Sequence, residues 1–436
     1  MGGTKVHVRL PASVAATGMT RIRYRVVAFA MALGAITYLD RVCISMLAPD
    51  VMRDLHLTNI QMSYVFSAFT LAYAVFEIPT AWWADRVGSR NVLTRIVLWW
   101  SAFTMATGAA LSYAALLLVR FLFGIGEAGA WPNVARVFSR WIPSDERGRV
   151  QGIFFASAHL SGGLTPMLVA YMATFLPWRV LFLIFGCIGV IWASTWHRWF
   201  RDEPRHHSSV GAAELHLIES NRGLPALHAG GWGGVWRTGS LFPLCLQYFA
   251  NTYGFYFFIT WLPLYLLKSR HMQKAELAIF SGLPLLFSVL ADISGGMTTD
   301  LVARRFGRRA GRCGVGAAGY TCAGLSMLSG TLASDARTAA CLIALGGAAS
   351  MFTLGPAWAT AIELGGRNSA VLSATMNTAG QIGGILSPIV LAYIVDRFGD
   401  WSMPLHILSG LYFIAALCWI VIDPERTAGL GVEQKH

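Results

Sequence analysis

Four ionisable residues interrupt two long apolar segments near the beginning of the chain. Asp40 and Arg41 stand side by side in AITYLDRVCISMLAP, and Arg120 and Glu127 lie in VRFLFGIGEAGAWPN. Arginine binds a carboxylate through two parallel hydrogen bonds. In general, burial raises the pKa of a carboxyl group and a neighbouring arginine lowers it, so an acid subject to both can be switched. The pattern therefore predicts an anion site that contains titratable acids.

Helical spacing and charge together suggest which of the four side chains bind the anion and which carry protons. Arg120 and Glu127 are seven residues apart and share one helix face, whereas Asp40 and Arg41 point about 100° apart. We expect Arg41 and Arg120 to bind an organic anion, and Asp40 and Glu127 to carry protons. An anion that occupies the arginines frees the acid to hold a proton. The alternative is a set of salt bridges that only joins two helices, although buried pairs are rarely better than apolar packing.

The composition indicates that lipid surrounds most of the protein. Of 436 residues, 55% are hydrophobic and only 13% are charged, whereas soluble proteins have roughly 25% charged residues. Apolar runs of about 18 or more residues recur along the chain, which is typical of transmembrane helices. A soluble protein with a very large core is the alternative. The seven cysteines stand singly in apolar runs, and we expect no metal site.

We predict twelve transmembrane helices. Their spans, numbered in chain order, are 25–47, 60–82, 91–112, 114–138, 149–174, 178–199, 240–267, 276–302, 312–332, 337–361, 370–395 and 402–422. With the N-terminus inside, most of the 34 lysines and arginines fall in cytoplasmic segments, so the positive-inside rule predicts that both termini are cytoplasmic. Topology then accounts for the net charge of +12, and no nucleic-acid partner is expected.

The longest polar loop divides the chain into two sets of six spans. The predicted parts are a cytoplasmic N-terminal tail (1–24), an N-terminal six-helix bundle (25–200), a cytoplasmic central loop (201–238), a C-terminal six-helix bundle (239–424) and a cytoplasmic C-terminal tail (425–436). The expected fold is therefore that of an all-α polytopic membrane protein with two six-helix halves.

The two halves repeat a sequence pattern. AWWADRVGSR follows span 2, and GMTTDLVARRFGRR follows span 8. Within the spans, Glu77 precedes Asp85 by eight residues, and Asp292 precedes Asp300 by the same number. We hypothesise that Glu77 and Asp292 pair with the basic loops. Six-plus-six repeats with short basic loops are typical of secondary transporters.

These motifs resemble those of a known family. The Asp-Arg-x-Gly loop after span 2 and its weaker copy resemble the signature loop of the major facilitator superfamily, although Ala81 stands where that family usually has its first glycine. YLDRVCIS, VRFLFGIGEAGAWPN, FFITWLPLYL and TMNTAGQIGGILSP resemble the anion:cation symporter group, which includes bacterial sugar-acid permeases and animal vesicular glutamate and sialic-acid carriers. The resemblance covers about 25–425. It implies the facilitator fold and the same roles for Asp40, Arg41, Arg120 and Glu127.

Polar residues on other spans are candidates to contact the substrate. They are Tyr73, His159, Gln247, Asn251, Tyr253, Trp358, Asn377 and Gln381. Tyr73 falls where family permeases use a tyrosine, and His159 stands where sugar-acid carriers often have glutamine. The amides can bind sugar hydroxyls or another helix, and both readings stay open. Since the second half has no counterpart of Arg41 or Arg120, we expect it to contact the polar body of the ligand.

Charged residues at the cytoplasmic ends of spans are candidate gates that close the inner side in one conformation. They are Asp85, Arg86, Arg90, Asp300, Glu363 and Arg367. The alternative is that these charges only set the topology.

The sequence thus predicts a multi-pass transporter of the inner membrane that imports a small organic anion together with protons. The expected substrate is a sugar acid such as an aldonate, a hexuronate or an aldarate. An aromatic or other carboxylate, or export, is the alternative. An intramembrane enzyme or a sensor is disfavoured, since no nucleophile–base or metal cluster and no sizeable output domain are visible. We expect a monomer in the lipid bilayer with no cofactor apart from the proton as coupling ion.

Overall fold

The computed structural model describes residues 20–143, 146–220, 239–365 and 369–423, and these ranges contain helices and no strand. The α-helices are α1 (Ile22–Asp54), α2 (Asn59–Val87), α3 (Ser89–Ala109), α4 (Tyr113–Glu127), α5 (Ala130–Trp141), α6 (Arg147–Met172), α7 (Trp178–Trp199), α8 (Ala212–Ser220), α9 (Leu241–Thr260), α10 (Leu262–Lys268), α11 (Lys274–Phe306), α12 (Val315–Leu332), α13 (Ala336–Phe352), α14 (Leu354–Gly365), α15 (Ser369–Phe398) and α16 (Met403–Val421). The predicted all-α fold is confirmed.

Each predicted span contains one helix or two consecutive helices. Spans 4, 7 and 10 are interrupted, at residues 128–129, at Trp261 and at Thr353 respectively. Eight segments are long and apolar enough to cross a membrane, judged by length and composition. The count of twelve crossings, the cytoplasmic termini and the domain boundaries stay predictions. The helix α8 in the central loop was not foreseen.

Helix packing falls into two groups that meet along two lines. In the first group α1 packs on α6, α3 on α7 and α2 on α4; in the second, α9 packs on α15, α11 on α13, and α12 on α16. The two groups are joined chiefly by α6 against α11 and by α2 against α15. These two helix pairs form the contact between the halves.

The halves touch closely toward the end of α1 that carries Asp54. The hydroxyl oxygens of Tyr64 and Tyr393 are 2.6 Å apart, and Ser67 Oγ donates to the carbonyl of Ile385 at 2.9 Å. On the other line, a Cβ added to Gly282 would lie 1.9 Å from the carbonyl oxygen of Gly163, so the backbones of α6 and α11 are nearly in contact. By the predicted topology this end, where the halves are in contact, faces the outside.

The loop helix α8 is fastened to the opposite end of the first half. Glu214 is completely buried and accepts hydrogen bonds from Thr20 Oγ1 (2.6 Å) and from the backbone N–H groups of Ile22 and Arg23 (3.0 Å each). Its carboxylate thus satisfies two N–H groups at the beginning of α1, where the helix dipole favours negative charge. Arg23 also pairs with Glu146, so this cluster ties three segments of the chain together.

Candidate functional site

An ion pair between α1 and α4 lies at the centre of the candidate site. Arg41 Nε donates to Glu127 Oε1, and the Arg41 and Glu127 side chains are 8% and 0% exposed. Glu127 is the last residue of α4. Buried charges require partners, and here the two charges that the sequence singled out on different helices are partners of each other.

Aromatic rings surround both arginines. Arg41 Cζ lies 4.9 Å from the ring centroid of Tyr73 and 5.2 Å from that of Phe69. Arg120 Cζ lies 5.4 Å from the same Phe69 ring and 4.3 Å from Phe123. Phe69 therefore contacts both guanidinium groups, and cation–π attraction favours them there. The sequence had singled out Tyr73 but missed both phenylalanines, because apolar rings are abundant in every span.

Several polar atoms of this cluster are buried and have no hydrogen-bond partner among the described residues. They are both carboxyl oxygens of Asp40, Nη2 of Arg41, Nε of Arg120 and Oε2 of Glu127. Asp40 and Arg120 are 1% and 2% exposed. Since buried polar atoms normally have partners, such a concentration indicates a place where a polar ligand or a proton can be accommodated. The structure thus brings together Asp40, Arg41, Tyr73, Arg120 and Glu127.

A histidine–carboxylate pair borders this cluster and connects the two halves. His159 Nδ1 of α6 lies 2.6 Å from Asp292 Oδ2 of α11. The ring of Tyr38 packs edge-on to His159, with centroids 5.4 Å apart, and also lies 5.7 Å from Arg41 Cζ. The hypothesis that Asp292 pairs with a basic loop is wrong, because its helix directs it to α6 at the middle of the span.

Glu77, the acid at the equivalent position of the repeat, lies where α2 of the first half packs on α15 of the second. Asn377 Nδ2 of α15 donates to Glu77 Oε2 of α2 over 3.4 Å. The basic-loop hypothesis is therefore also wrong for Glu77, which lies one turn beyond Tyr73 on the same helix. Gln381 follows Asn377 by one turn, and its buried Oε1 has no partner among the described residues.

Two amides of the second half are occupied elsewhere. Gln247 accepts a hydrogen bond from the hydroxyl of Tyr320 (2.9 Å) and donates to the carbonyl of Leu244 (2.9 Å). Asn251 donates to the carbonyl of Ser350 at 2.8 Å. These bonds stay within the second half, so the structure does not bring Gln247 or Asn251 to Arg41.

The two aromatic candidates of the second half differ in exposure. Tyr253 is buried, with its ring 6.1 Å from that of Phe249. Trp358 is 39% exposed and lies edge-on to Tyr248 at 6.0 Å. Neither contacts the arginine cluster in this conformation. Their predicted roles in substrate binding stay predictions.

The predicted gate residues of the first half lie beside the loop that follows α2. Arg90 donates through Nε and Nη2 to the carbonyl of His197 (2.8 and 2.6 Å), and its backbone N–H donates to Asp202 (3.0 Å). Gly88 has a φ of 94°, and a Cβ there would lie 2.7 Å from Asp202 Oδ2, so only glycine fits the turn. Arg86 is exposed. The side chain of Asp85 lies outside the described residues.

The corresponding residues of the second half form a cluster around one arginine. Arg312 donates to Glu363 (Nη2, 2.9 Å) and to Asp300 (Nη1, 3.2 Å). Glu363 and Asp300 are therefore paired within their own half in this conformation. Arg367 lies outside the described residues.

The comparisons with known proteins agree with this architecture. The sequence profile of the Major Facilitator Superfamily matches residues 30–388. The probable sulfoacetate transporter SauU of Cupriavidus necator is 33% identical over 396 residues, covering 90% of this chain and 92% of that protein. The D-galactonate transporter of Escherichia coli is 28% identical and covers 95% and 98%, and the hexuronate transporter of Bacillus subtilis is 27% identical and covers 91% and 93%.

A solved structure has the same fold. A bacterial homolog of the human lysosomal transporter Spinster, in an inward-facing and unoccupied conformation, aligns with a TM-score of 0.75 over 94% of this chain and 98% of that chain, at 18% identity. The chain is a transporter and not an enzyme, and its bacterial relatives place it in the inner membrane as a multi-pass protein. It belongs to the major facilitator superfamily, as the motifs indicated.

Proposed function

We propose that the protein imports a small organic anion by proton symport, and that the substrate is a sugar acid such as an aldonate, a hexuronate or an aldarate. The observation that carries this proposal is the buried cluster of Asp40, Arg41, Arg120 and Glu127, which contains two cationic side chains and two acids within the first half. Arg120 binds the carboxylate of the substrate, and Arg41 joins it when Glu127 releases its hydrogen bond.

Charge balance explains why an anion and a proton move together. With both acids ionised, the two negative and two positive charges of the cluster sum to zero. A bound monoanion adds one negative charge, and a net charge in a low-dielectric site is costly. One proton on an acid of the cluster restores neutrality, and a dianion such as an aldarate or sulfoacetate requires a proton on both acids. Asp40 can take it, because its oxygens accept no well-formed hydrogen bond among the described residues and the neighbouring Thr104 hydroxyl donates to the carbonyl of Trp100.

The relatives support the substrate class. Two of them are named as transporters of galactonate and of hexuronate, and a third as a probable transporter of galactarate or glucarate, which are all acids rich in hydroxyl groups. A second candidate is a short sulfonated acid, since the relative at 33% identity is named a probable sulfoacetate transporter. Both classes present an oxyanion to arginine. An aromatic acid, and export instead of import, are the further alternatives.

Transport follows from the contacts between the halves. This conformation has cross-half hydrogen bonds at Tyr64–Tyr393 and Ser67–Ile385, toward the predicted outside. Arginine-centred clusters at the opposite end stay within each half. Alternating access then requires the outer contacts to break while the inner ends approach each other.

Uptake into proteoliposomes tests the proposal. Purified protein is offered labelled galactonate, glucuronate, glucarate, sulfoacetate and one aromatic acid, with and without an inward proton gradient. Accumulation of one sugar acid that depends on the gradient is the expected result. Sulfoacetate as the accumulated acid would select the second candidate. Equal equilibration with and without the gradient, or efflux driven by it, would contradict proton-coupled import.

A further inference from the structure

His159 and Asp292 form an ionisable pair at a place where apolar side chains would hold the two helices together equally well. It lies near the middle of α6 and α11, where the His159 and Asp292 side chains are 6% and 19% exposed. The two helices are already in backbone contact at Gly163 and Gly282. A buried ionic pair is seldom better than apolar packing for holding helices together. Holding α6 and α11 together therefore does not explain why these two residues are a histidine and an aspartate.

The hydrogen bond leaves one particular atom of the imidazole available. A carboxylate accepts hydrogen bonds, so Nδ1 carries the proton that is shared with Asp292 Oδ2. Among the described residues, the other ring nitrogen, Nε2, makes no hydrogen bond. In such an arrangement the carboxylate fixes the tautomer and the orientation of the ring, and Nε2 can interact with a ligand oxygen.

The imidazole is also close to the anion cluster. The ring of Tyr38 contacts His159 on one side and lies near Arg41 on the other, at 5.4 Å and 5.7 Å. Phe255 of α9 packs 6.4 Å from both rings, so the imidazole has apolar neighbours around it. Arg41, Asp292 and Glu127 are among the ionisable side chains near Tyr38.

We propose that Asp292 is a positioning residue that holds His159 with Nε2 directed to the oxygen atoms of the substrate, at the end opposite to the carboxylate held by Arg120. This inference rests on the proposed function. The two residues belong to different halves, so the dyad is complete only when α6 and α11 have the present spacing. Substrate affinity thereby depends on the conformation of the carrier.

A double-mutant cycle on transport kinetics tests the dyad. The variants are Asp292→Asn, His159→Gln and the double variant, with Asp292→Glu as the conservative change and Ser294→Ala, an exposed serine on the same helix, as the matched control. Asp292→Asn and His159→Gln each raise KM about tenfold, as expected for one lost charge-assisted hydrogen bond. Vmax changes little, the double variant resembles the single variants, and Asp292→Glu recovers most of the affinity.

Two results overturn the dyad. The first is an unchanged KM in Asp292→Asn. If KM is unchanged while Vmax falls in proportion to the amount of folded protein, the pair is purely structural. The second is additive KM effects in the double variant. If the wild-type protein takes up none of the acids offered, the proposed function fails first. The pair is then judged from the melting temperatures of the same variants with and without each acid, where a stabilisation of the wild type that Asp292→Asn and His159→Gln both lose supports the dyad, and no stabilisation of the wild type, or an equal one in all variants, overturns it.

Discussion

Glu127 binds Arg41 at the very residue where α4 ends, so the ion pair between α1 and α4 lies next to a break in the helix. The break is closely packed, because a Cβ on Gly129 would lie 2.1 Å from Thr80 Cγ2 of α2. A proton on Glu127 would remove the charge that holds Arg41. The end of α4 thus lies where protonation of Glu127 can alter the spacing of α1, α2 and α4.

Glu127→Gln should separate binding from proton coupling. The amide keeps the size of the side chain and one acceptor for Arg41 but cannot exchange a proton. We expect substrate counterflow between loaded proteoliposomes to stay within about threefold of wild type, and gradient-driven accumulation to be lost. Glu276→Gln, at the predicted outer ends of the helices, is the matched control. Normal accumulation by Glu127→Gln would show that this acid carries no coupled proton.

Asp40→Asn addresses the second acid. The oxygens of Asp40 accept no well-formed hydrogen bond among the described residues, and the neighbouring Thr104 hydroxyl donates to the carbonyl of Trp100, so the substitution should leave the protein folded. We expect proton uptake that accompanies substrate addition, followed with a pH-sensitive dye inside the vesicles, to fall to background. Asp50→Asn, in a partly exposed pair with Arg53, should retain it. Substrate-linked proton entry at the wild-type rate in Asp40→Asn would contradict the assignment.

Glu214→Gln should destabilise the first half without touching the site. Three donors at the beginning of α1 and the guanidinium of Arg23 converge on this buried carboxylate. Loss of its charge should lower the free energy of unfolding by about 2 kcal/mol, the scale of hydrogen bonds to a charged group. Thermal unfolding in detergent measures it, and Glu219→Gln, exposed on the same helix, is the control. Equal melting temperatures for the two variants would show that the clamp contributes nothing.

Gly282→Ala should disfavour the present conformation. The added methyl group would overlap the carbonyl of Gly163, and relief requires α6 and α11 to move apart, at about 1–3 kcal/mol. Electron paramagnetic resonance should report a longer distance between spin labels at the outer ends of α6 and α11. Gly296→Ala is the control, since a Cβ there meets nothing within 4 Å. An unchanged distance distribution in Gly282→Ala would refute the close packing.

The sequence predicted the helices well because membrane depth imposes a length on every apolar run. The predicted span 6, residues 178–199, coincides with α7, Trp178–Trp199. The interruptions at Trp261 and Thr353 were not foreseen, because they depend on packing between helices. The loop helix α8 was not predicted either. Its contact with α1 depends on one carboxylate, Glu214, which accepts hydrogen bonds from residues almost two hundred positions away.

The candidate site was predictable only in part. Charges inside apolar segments are rare enough that Asp40, Arg41, Arg120 and Glu127 could be singled out from the sequence alone, whereas their pairing could not. Gln247 and Asn251 looked equally suitable as polar residues within a span. Their helix rotation turns them to Tyr320 and Ser350, and no periodicity in the sequence reveals that. Asp292 was noticed through the repeat, but its partner became visible only in three dimensions.

The most direct test of the central claim is the uptake of the accumulated acid by Arg120→Lys and Arg120→Ala, beside Arg53→Ala as a control from an exposed arginine. Lysine keeps the charge but not the planar fork, so KM should rise about tenfold in Arg120→Lys. Arg120→Ala, folded as judged by its melting temperature, should neither bind nor take up the acid, whereas Arg53→Ala should resemble wild type. Wild-type uptake by folded Arg120→Ala would contradict the account.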